Sequence, residues 1–590
     1  MKEFSLIKFY LKKYRVSFAI GIFLLVFVVN YLQLFFPQII GAITDGVQDG
    51  TMGVEGIIKT IKTLLLIVVT VALGRIGWRY FLFGSARKIE RDVREQLFEK
   101  WVSLDTMYFN HNKTGNLMAY ATNDLNAVKM MFGQGIVVMV DAIVMTIFVV
   151  WQMATYVDVN LTLIAILPMP FITISSLYFG GHTRKRFGAK QAAFAKLSDK
   201  VQESFSGIKV IKTFVQEDHD MKEFHDVSQE NFEKNIRLAK LSAIISPLMP
   251  FLVSISLLLS ISYGGYLTMI NEITIGQFVA FNQYILMLSW PMSAVAMGIN
   301  LFAQGLASVR RLEDVLNTEP TVKDEQGAIE LVDPKGQISM KNLTFNFPDN
   351  HQIGLKNVSL DIEPGETVAI LGRTGSGKST VINLLLRVFN SPKNQLFIDG
   401  VDIMDISLNS LRKTFAYVPQ DNFLFSATVG ENIAFGLENH EKTREKIEHA
   451  AKRANVHHNI MDFTNNYDTV VGERGTTLSG GQKQRVSIAR ALILNAPVLI
   501  LDDSLSAVDT LTEETILENL HQERAGKTNI IIAHRISTVK HAHKIIVLDH
   551  SEIKEVGTHD SLLALNGVYA KMNEQQQLES EEGGLANEKK

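Results

Sequence analysis

The chain has 590 residues, a formal net charge of -3 and no cysteine, and 47% of its residues are hydrophobic against 20% charged. This composition excludes a uniformly soluble chain and predicts a membrane part beside soluble structure. The charge gives no reason to expect a nucleic-acid partner. Without cysteine, disulfides, thiolate metal sites and cysteine nucleophiles are excluded, but no compartment is indicated.

The N-terminal residues 1–15 set apolar side chains such as Ile7 and Leu11 against Lys8 and Lys12 at helical spacing. This pattern predicts an interfacial elbow helix lying on the cytoplasmic face of a membrane. The apolar run that follows exceeds the apolar region of a signal peptide and lacks a small-residue cleavage site. We therefore expect it to be retained.

Six apolar segments are long enough to cross a hydrocarbon core of about 30 Å, which takes about 20 helical residues. They are residues 16–40, 57–83, 131–156, 161–179, 241–269 and 274–301. Basic residues precede the first segment and follow the second, fourth and sixth, whereas the opposite loops are short and acidic. This asymmetry predicts a multi-pass membrane protein with both termini in the cytoplasm.

Charged helical stretches at residues 85–129 and 182–240 predict that the membrane helices continue into the cytoplasm before turning back. We assign residues 16–316 to a transmembrane domain of six all-α spans. Residues 317–335 have the composition of a linker, residues 336–574 that of a soluble α/β domain, and residues 575–590 that of a disordered tail.

The soluble part contains Gly372-Arg-Thr-Gly-Ser-Gly-Lys-Ser379, between a predicted strand at 367–371 and a predicted helix at 378–389. This is the pattern of a phosphate-binding loop, and the flanking elements argue against a chance match in a Gly-rich turn. Backbone N–H groups surround the phosphates, Lys378 neutralises them and Ser379 ligates Mg²⁺. The predicted nucleotide contacts are Gly372, Arg373, Thr374, Gly375, Ser376, Gly377, Lys378, Ser379 and Thr380.

Two further motifs complete this chemistry. The apolar strand 498–502 ends in Asp502, which we expect to hold Mg²⁺ through water. About 20 residues earlier, Leu478-Ser-Gly-Gly-Gln482 precedes a helix, so Ser479, Gly480 and Gly481 offer donors at a second helix N-terminus. Two phosphate-binding ends in one domain favour a head-to-tail dimer that sandwiches nucleotide.

These motifs resemble those of the ATP-binding cassette (ABC) exporters of multidrug type, and the resemblance covers nearly the whole chain. It implies a half-transporter in a bacterial-type cytoplasmic membrane, with a transmembrane domain fused to an α/β ATP-binding domain that uses ATP and Mg²⁺. It also implies residue roles: Phe347 stacks on adenine, Gln420 contacts Mg²⁺ and the attacking water, Asp509 lies in the loop that crosses the dimer interface, and His534 contacts the γ-phosphate. Segments 114–124 and 206–216 resemble coupling helices.

One position departs from the family pattern, because Asp503 stands where the exporters carry a catalytic Glu. Its carboxylate falls about 1 Å or more short of the water, and misplacement of that size can cost about 10²-fold in rate. Beside an intact signature, this substitution resembles the chain with the weak ATP site in asymmetric heterodimeric exporters. The alternative is that backbone adjustment lets Asp503 act as the base.

The sequence therefore predicts ATP-driven export of amphiphilic or drug-like compounds by a heterodimer with a second half-transporter, in contact with membrane lipids. A lipid or peptide exporter, a homodimer and an ATP-gated regulatory protein or channel remain alternatives. Asp141, inside the third apolar segment, is a candidate contact for cationic substrates. A helix–helix hydrogen bond, or a place nearer the outer rim, is the other interpretation.

Overall fold

A computed structural model describes residues 5–349, 351–472, 475, 477–506 and 508–587. Two compact units divide the chain. One comprises residues up to 319 except 104–108, and the other comprises 104–108 and the residues from 320 onward. The first contains the apolar helices and the second contains the β-sheets.

The first unit has six helices that are long and apolar enough to cross a membrane. After a short helix α1 (Ser5–Lys13), these are α2 (Arg15–Gln48), α3 (Val54–Ser103), α5 (Thr114–Tyr156), α6 (Val159–Ser206), α8 (Glu217–Met269) and α9 (Ile275–Asn317). Two short helices, α4 (Thr106–His111) and α7 (Ile208–Thr213), lie between long ones. Each predicted apolar segment falls within one long helix, apart from residue 274, which is the N-cap of α9. Residues 1–4 of the predicted elbow lie outside the described residues.

Small residues bring α2 and α3 close together. A Cβ on Gly74 would lie 2.7 Å from Cγ1 of Val28, and one on Gly21 would lie 2.6 Å from Cγ of Leu82. Such contacts let helix backbones approach in a membrane, where no hydrophobic force drives the helices together. These contacts place Val28, in the middle of the predicted first span, beside Gly74 of the second span.

The short helix α1 is attached at both ends. The backbone N–H of Leu6 donates to Glu313 of α9 at 2.9 Å. At the other end, Lys13 Nζ and the Tyr14 hydroxyl both donate to Asp92 of α3, at 2.6 and 2.8 Å. Asp92 is buried, and Lys13 and Tyr14 on one carboxylate oxygen and Arg91 on the other satisfy its carboxylate.

The second unit contains two sheets. The strands are β1 (Ile338–Asn346), β2 (Ile353–Ile362), β3 (Thr367–Gly372), β4 (Leu396–Ile398), β5 (Val401–Asp402), β6 (Phe415–Val418), β7 (Val498–Asp502), β8 (Thr528–Ile532), β9 (Lys544–Asp549) and β10 (Glu552–Gly557). One sheet has the order β2-β1-β4-β5 and the other β10-β9-β3-β8-β7-β6. In the larger sheet β9, β3, β8, β7 and β6 are parallel and β10 is antiparallel to β9.

Helices connect the strands of this unit. They are α10 (Lys378–Leu385), α11 (Leu408–Lys413), α12 (Val429–Ile433), α13 (Arg444–Arg453), α14 (His457–Met461), α15 (Gly480–Leu492), α16 (Thr510–Glu523), α17 (Ile536–Val539), α18 (His559–Ala564) and α19 (Val568–Asn587). The strand, phosphate loop and helix order predicted from the sequence is present. The α/β fold is thus confirmed.

Parallel strands bring distant motifs to one edge, because their carboxyl ends meet there. Asp502 at the end of β7 pairs with Ile532 of β8, two residues before His534. Val418 of β6, two residues before Gln420, pairs with Leu501 of β7. The phosphate loop follows β3, and β8 lies between β3 and β7.

The last helix, α19, runs into the C-terminal segment. A disordered tail is expected from residue 575, but the structure continues α19 as far as Asn587. The segment is rich in Glu and Gln, which are good helix formers. Residues 588–590 lie outside the described part of the chain.

Candidate functional site

The phosphate loop has the backbone that its glycines permit. Gly377, which precedes α10, has φ of 103°, and a Cβ there would lie 2.8 Å from the carbonyl oxygen of Gly354. Gly375 has φ of 81° in open space. Arg373, Thr374, Gly375 and Ser379 are exposed, whereas the hydroxyl of Ser376 is buried without a hydrogen-bond partner among the described residues. An open loop with an unsatisfied polar atom fits a phosphate ligand.

Lys378 and Asp502 are both buried in this site. Lys378 Nζ donates to the carbonyl oxygens of Gly372 and Arg373, at 2.7 and 2.9 Å. Burial lowers the pKa of the Lys378 ammonium, although Asp502 and Asp503 oppose that shift. Burial likewise raises the pKa of the Asp502 carboxyl, and the charge of Asp503 adds to it. A bound phosphate would supply a negative charge beside Lys378, and a divalent cation would supply a positive charge beside Asp502.

Asp503 lies where the motifs of three strands converge. Gln420 Nε2 donates to Asp503 Oδ2 at 3.5 Å, and Asp503 lines a pocket of about 100 Å³ together with His534. Its backbone has φ of 46° and its N–H donates to Ile532 of β8 at 2.9 Å. The predicted residues Lys378, Gln420, Asp502, Asp503 and His534 are therefore brought together.

Three polar side chains that the sequence analysis missed support this cluster. The Tyr417 hydroxyl donates to Asp502 at 3.3 Å, and the buried Gln484 amide donates to the carbonyl oxygen of Asp503 at 3.4 Å. Gln576 of α19 donates to the carbonyl oxygen of His534 at 2.6 Å and accepts from the N–H of Ile536 at 2.9 Å. Tyr417 belongs to the same motif as Gln420, whereas no sequence pattern identifies Gln484 or Gln576.

The polar signature residues Ser479 and Gln482 hydrogen-bond to each other at the start of α15. Ser479 accepts a hydrogen bond from the N–H of Gln482 and caps α15, while the Gln482 side chain accepts from the N–H of Ser479 at 3.0 Å. Leu478 is buried, but Ser479 and Gly480 are exposed. Helix α15 packs against α12, α13 and β6. The structure thus presents this helix N-terminus to solvent and does not join it to the phosphate loop.

Two other predicted contacts lie outside the central cluster. Asp509 is exposed and caps α16 by accepting from Thr512, whose backbone hydrogen bond lowers the pKa of the Asp509 carboxyl. Ala507, in the same loop, lies outside the described residues. Phe347 packs edge-on against Phe345 and Phe389, with ring centroids 5.3 and 5.6 Å away. It remains half-buried, as a ring that stacks on a base requires.

Asp141 lines a cavity of about 330 Å³ among the membrane helices. Its polar neighbours are Asn30, Trp290 and Arg75. The Asn30 amide nitrogen, although close, has no hydrogen-bond geometry with any residue in the described part of the chain. Asp141 therefore faces a cavity, and an arginine stands beside it.

Family comparisons agree with both units. Residues 19–292 match the model of the ABC transporter transmembrane region, and residues 355–506 match the model of the ABC transporter. The two matches together cover more than half of the chain. They place the membrane region on the helices α2 to α9 and the second match on the phosphate loop and Asp502.

Individual relatives match along their whole length. A probable multidrug resistance ABC transporter ATP-binding/permease protein, YheI of Bacillus subtilis, is 38% identical over 98% of this chain and 99% of its own. The multidrug resistance-like ATP-binding protein MdlA of Escherichia coli is 37% identical over 98% of each chain. A solved bacterial Atm1-family ABC exporter with ATP bound has a TM-score of 0.75 at 26% identity, over 96% of this chain and 98% of that one.

The comparisons confirm several sequence predictions. The chain is an ATPase coupled to transport, uses ATP with Mg²⁺, and is a multi-pass protein of the cytoplasmic membrane whose ATP-binding domain is cytoplasmic. With six apolar helices, one ATP-binding domain and relatives matched from end to end, this chain belongs to the ABC transporter family and is an exporter.

Proposed function

We propose that this chain is one half of a heterodimeric exporter of amphiphilic compounds, and that its own ATP site hydrolyses slowly. The observation that carries the asymmetry is Asp503 in the place of a catalytic Glu, with its carboxylate against Gln420 and in one pocket with His534. The multidrug names of the relatives support the amphiphilic substrate.

The residues around the phosphate loop suit ATP and Mg²⁺. Lys378 and the loop N–H groups would hold the phosphates, Ser379, Gln420 and Asp502 would serve the metal, and Phe347 would stack on the base. Mg²⁺ supplies charge neutralisation at the phosphates when it is bound. The buried Lys378 and Asp502 keep their side chains in place for that purpose, since their backbone and Tyr417 contacts restrict them.

Asp503 is short for the role of general base. A Glu side chain reaches about 1 Å or more further, and a general base must come within hydrogen-bond reach of the water. Gln420 also holds the Asp503 carboxylate from the side at 3.5 Å. ATP would therefore stay bound in this site for a long time and be hydrolysed slowly there.

The signature of this chain would act on the second subunit's nucleotide. Ser479 and Gly480 are exposed at the start of α15, and the helix N-terminus favours a phosphate. Asp509 is exposed as well, as a loop at a subunit interface requires. Hydrolysis at that second site would shift the membrane helices between inward-open and outward-facing states, because ATP binds the two states with different affinity.

Substitution of Asp503 tests the asymmetry. In the assembled heterodimer, Asp503→Ala is expected to change the ATPase rate less than about twofold, because little turnover passes through this site. When the partner's catalytic Glu is replaced by Gln, activity should disappear. Asp503→Glu in that background should restore hydrolysis by about 10²-fold, since the longer side chain reaches the water. Steady-state phosphate release measures all three.

Binding of ATP to each variant is the control, because Asp503 substitutions must leave nucleotide affinity unchanged to within about threefold. Equal losses from Asp503→Ala and from the partner's substitution would contradict the asymmetric arrangement. Robust ATP-driven transport by this chain alone would favour a homodimer instead.

A further inference from the structure

Two arginines of α3 line a groove among the membrane helices. Arg75 and Arg79 border a cavity of about 660 Å³, together with Gln33 of α2 and Gln283 of α9. Much of the remaining lining is apolar, including Phe36 and Ile40. The cavity around Asp141 shares Gln33, Arg75, Arg79 and Met287 with this groove, so the two are continuous. The groove thus offers a polar part and an apolar part.

Both arginines lie within the predicted second span, which ends at residue 83. Gly74, directly before Arg75, packs against Val28, which stands in the middle of the predicted first span. Arg79 follows one helical turn later, toward the cytoplasmic side. Asp141 and Met287 stand near the middle of the third and sixth predicted spans. A charge at this depth is costly and normally faces a partner, a water-filled cavity or a substrate path.

The charges of the groove do not balance. Asp141 has Arg75 as its charged neighbour. The Arg79 guanidinium lies 5.5 Å from the ring centroid of Trp78, and within the described residues neither arginine forms an ion pair with a carboxylate. Both arginine side chains are exposed in the single chain. Two positive charges against one negative charge leave a net positive site.

The uncharged polar atoms point to the same kind of ligand. The Trp78 indole nitrogen is buried and finds no hydrogen-bond acceptor among the residues described, and the buried Asn30 amide nitrogen lies close to Asp141 without hydrogen-bond geometry. Both side chains line the cavity that contains Asp141. Buried N–H groups without acceptors are costly and rare. A ligand that carries acceptor oxygens would satisfy them.

We propose that this groove binds amphiphiles with an acidic headgroup, such as a sulfonate, phosphate or carboxylate, and that Arg79 is their main contact. The apolar lining at Phe36 and Ile40 takes the aliphatic part. Asp141 is then the counter-ion of Arg75 and not a receptor for cations. This assignment rests on the proposed export of amphiphiles and names their charge class.

Binding to the full chain in nanodiscs without nucleotide tests the proposal. Two fluorescent probes share one dye and one aliphatic tail but carry either a sulfonate or a quaternary ammonium headgroup. We expect the sulfonate probe to bind at least tenfold more tightly, and Arg79→Gln to weaken it about tenfold with little change for the ammonium probe. Asp141→Asn should strengthen sulfonate binding, because it removes the negative charge near Arg75.

Matched variants separate charge from folding. Arg79→Lys keeps the charge and should stay within about threefold of the parent, while Arg87→Gln removes an exposed charge from the same helix beyond the predicted span and should have no effect. Phosphatidylglycerol with the same dye shows whether two-chain lipids use the site as well. Preference for the ammonium probe, or its selective loss in Asp141→Asn, would overturn the proposal. Because no ATP is present, these outcomes do not depend on whether the ATP sites are asymmetric.

Discussion

Replacing Ser479 by arginine is expected to lower the ATPase rate of the assembled dimer about a hundredfold or more. Ser479 is the exposed N-cap of α15, and its neighbour Gly480 is also exposed. A long cation at this position would occupy the place of the phosphate and remove the cap. Loss of a single preorganised donor to a reacting oxyanion can cost about 10² to 10³-fold in rate. Steady-state phosphate release by the purified dimer measures the effect.

The control for this substitution is Thr443→Arg. Thr443 caps the neighbouring helix α13 in the same way, by accepting from the N–H of Lys446, and it is exposed. Losing either cap costs about 1 kcal/mol of stability, so the two variants should melt alike. Only Ser479→Arg should abolish turnover. If both variants kept the parent rate, the signature of this chain would not serve the competent site.

Lys378→Met is expected to weaken ATP binding at this chain's own site by about a hundredfold. The ammonium is buried in the phosphate loop and already held by the carbonyl oxygens of Gly372 and Arg373. A methionine keeps the length and apolar stem but provides no charge for the phosphates, and hydrogen bonds to charged groups contribute about 1.5–3 kcal/mol each. Equilibrium binding of a fluorescent ATP analogue with Mg²⁺ checks this.

Lys393→Met is the matched control, because Lys393 belongs to the same unit but pairs with Glu325 on the surface, where it is half-exposed. It should bind ATP like the parent. A Lys378→Met variant with parental affinity would show that this loop does not hold the nucleotide. In the asymmetric arrangement, Lys378→Met should also reduce overall turnover less than Ser479→Arg does.

The sequence predicts where these residues meet, because local motifs contain them and parallel strands bring the motifs to one edge. Gly377 needs a positive φ, Asp502 ends an apolar strand, and both features can be read without a structure. Their meeting point follows from the rule that carboxyl ends of parallel strands share an edge. The position of Asp503 can also be read from the sequence, because Asp503 directly follows Asp502.

Contacts between distant segments were not predictable in the same way. Gln576 reaches the His534 backbone from a segment whose composition indicated disorder, and Gln484 reaches Asp503 from inside a helix. Such contacts depend on which helix faces pack together, and Gln has no motif of its own. The depth of Asp141 in the membrane part can be predicted from the apolar run around it. Its neighbour Arg75 cannot be predicted, because their proximity depends on how the helices pack.

The contact between Gln576 and the His534 loop has a consequence for how the chain matures. Residue 576 is made after residues 528–539, so β8 and α17 can form while the loop between them still lacks both Gln576 hydrogen bonds. The loop that contains His534 gains these two hydrogen bonds only after residue 576 has been made. A nascent or prematurely terminated chain would therefore contain every recognisable ATP-binding motif and still present an unfinished histidine loop.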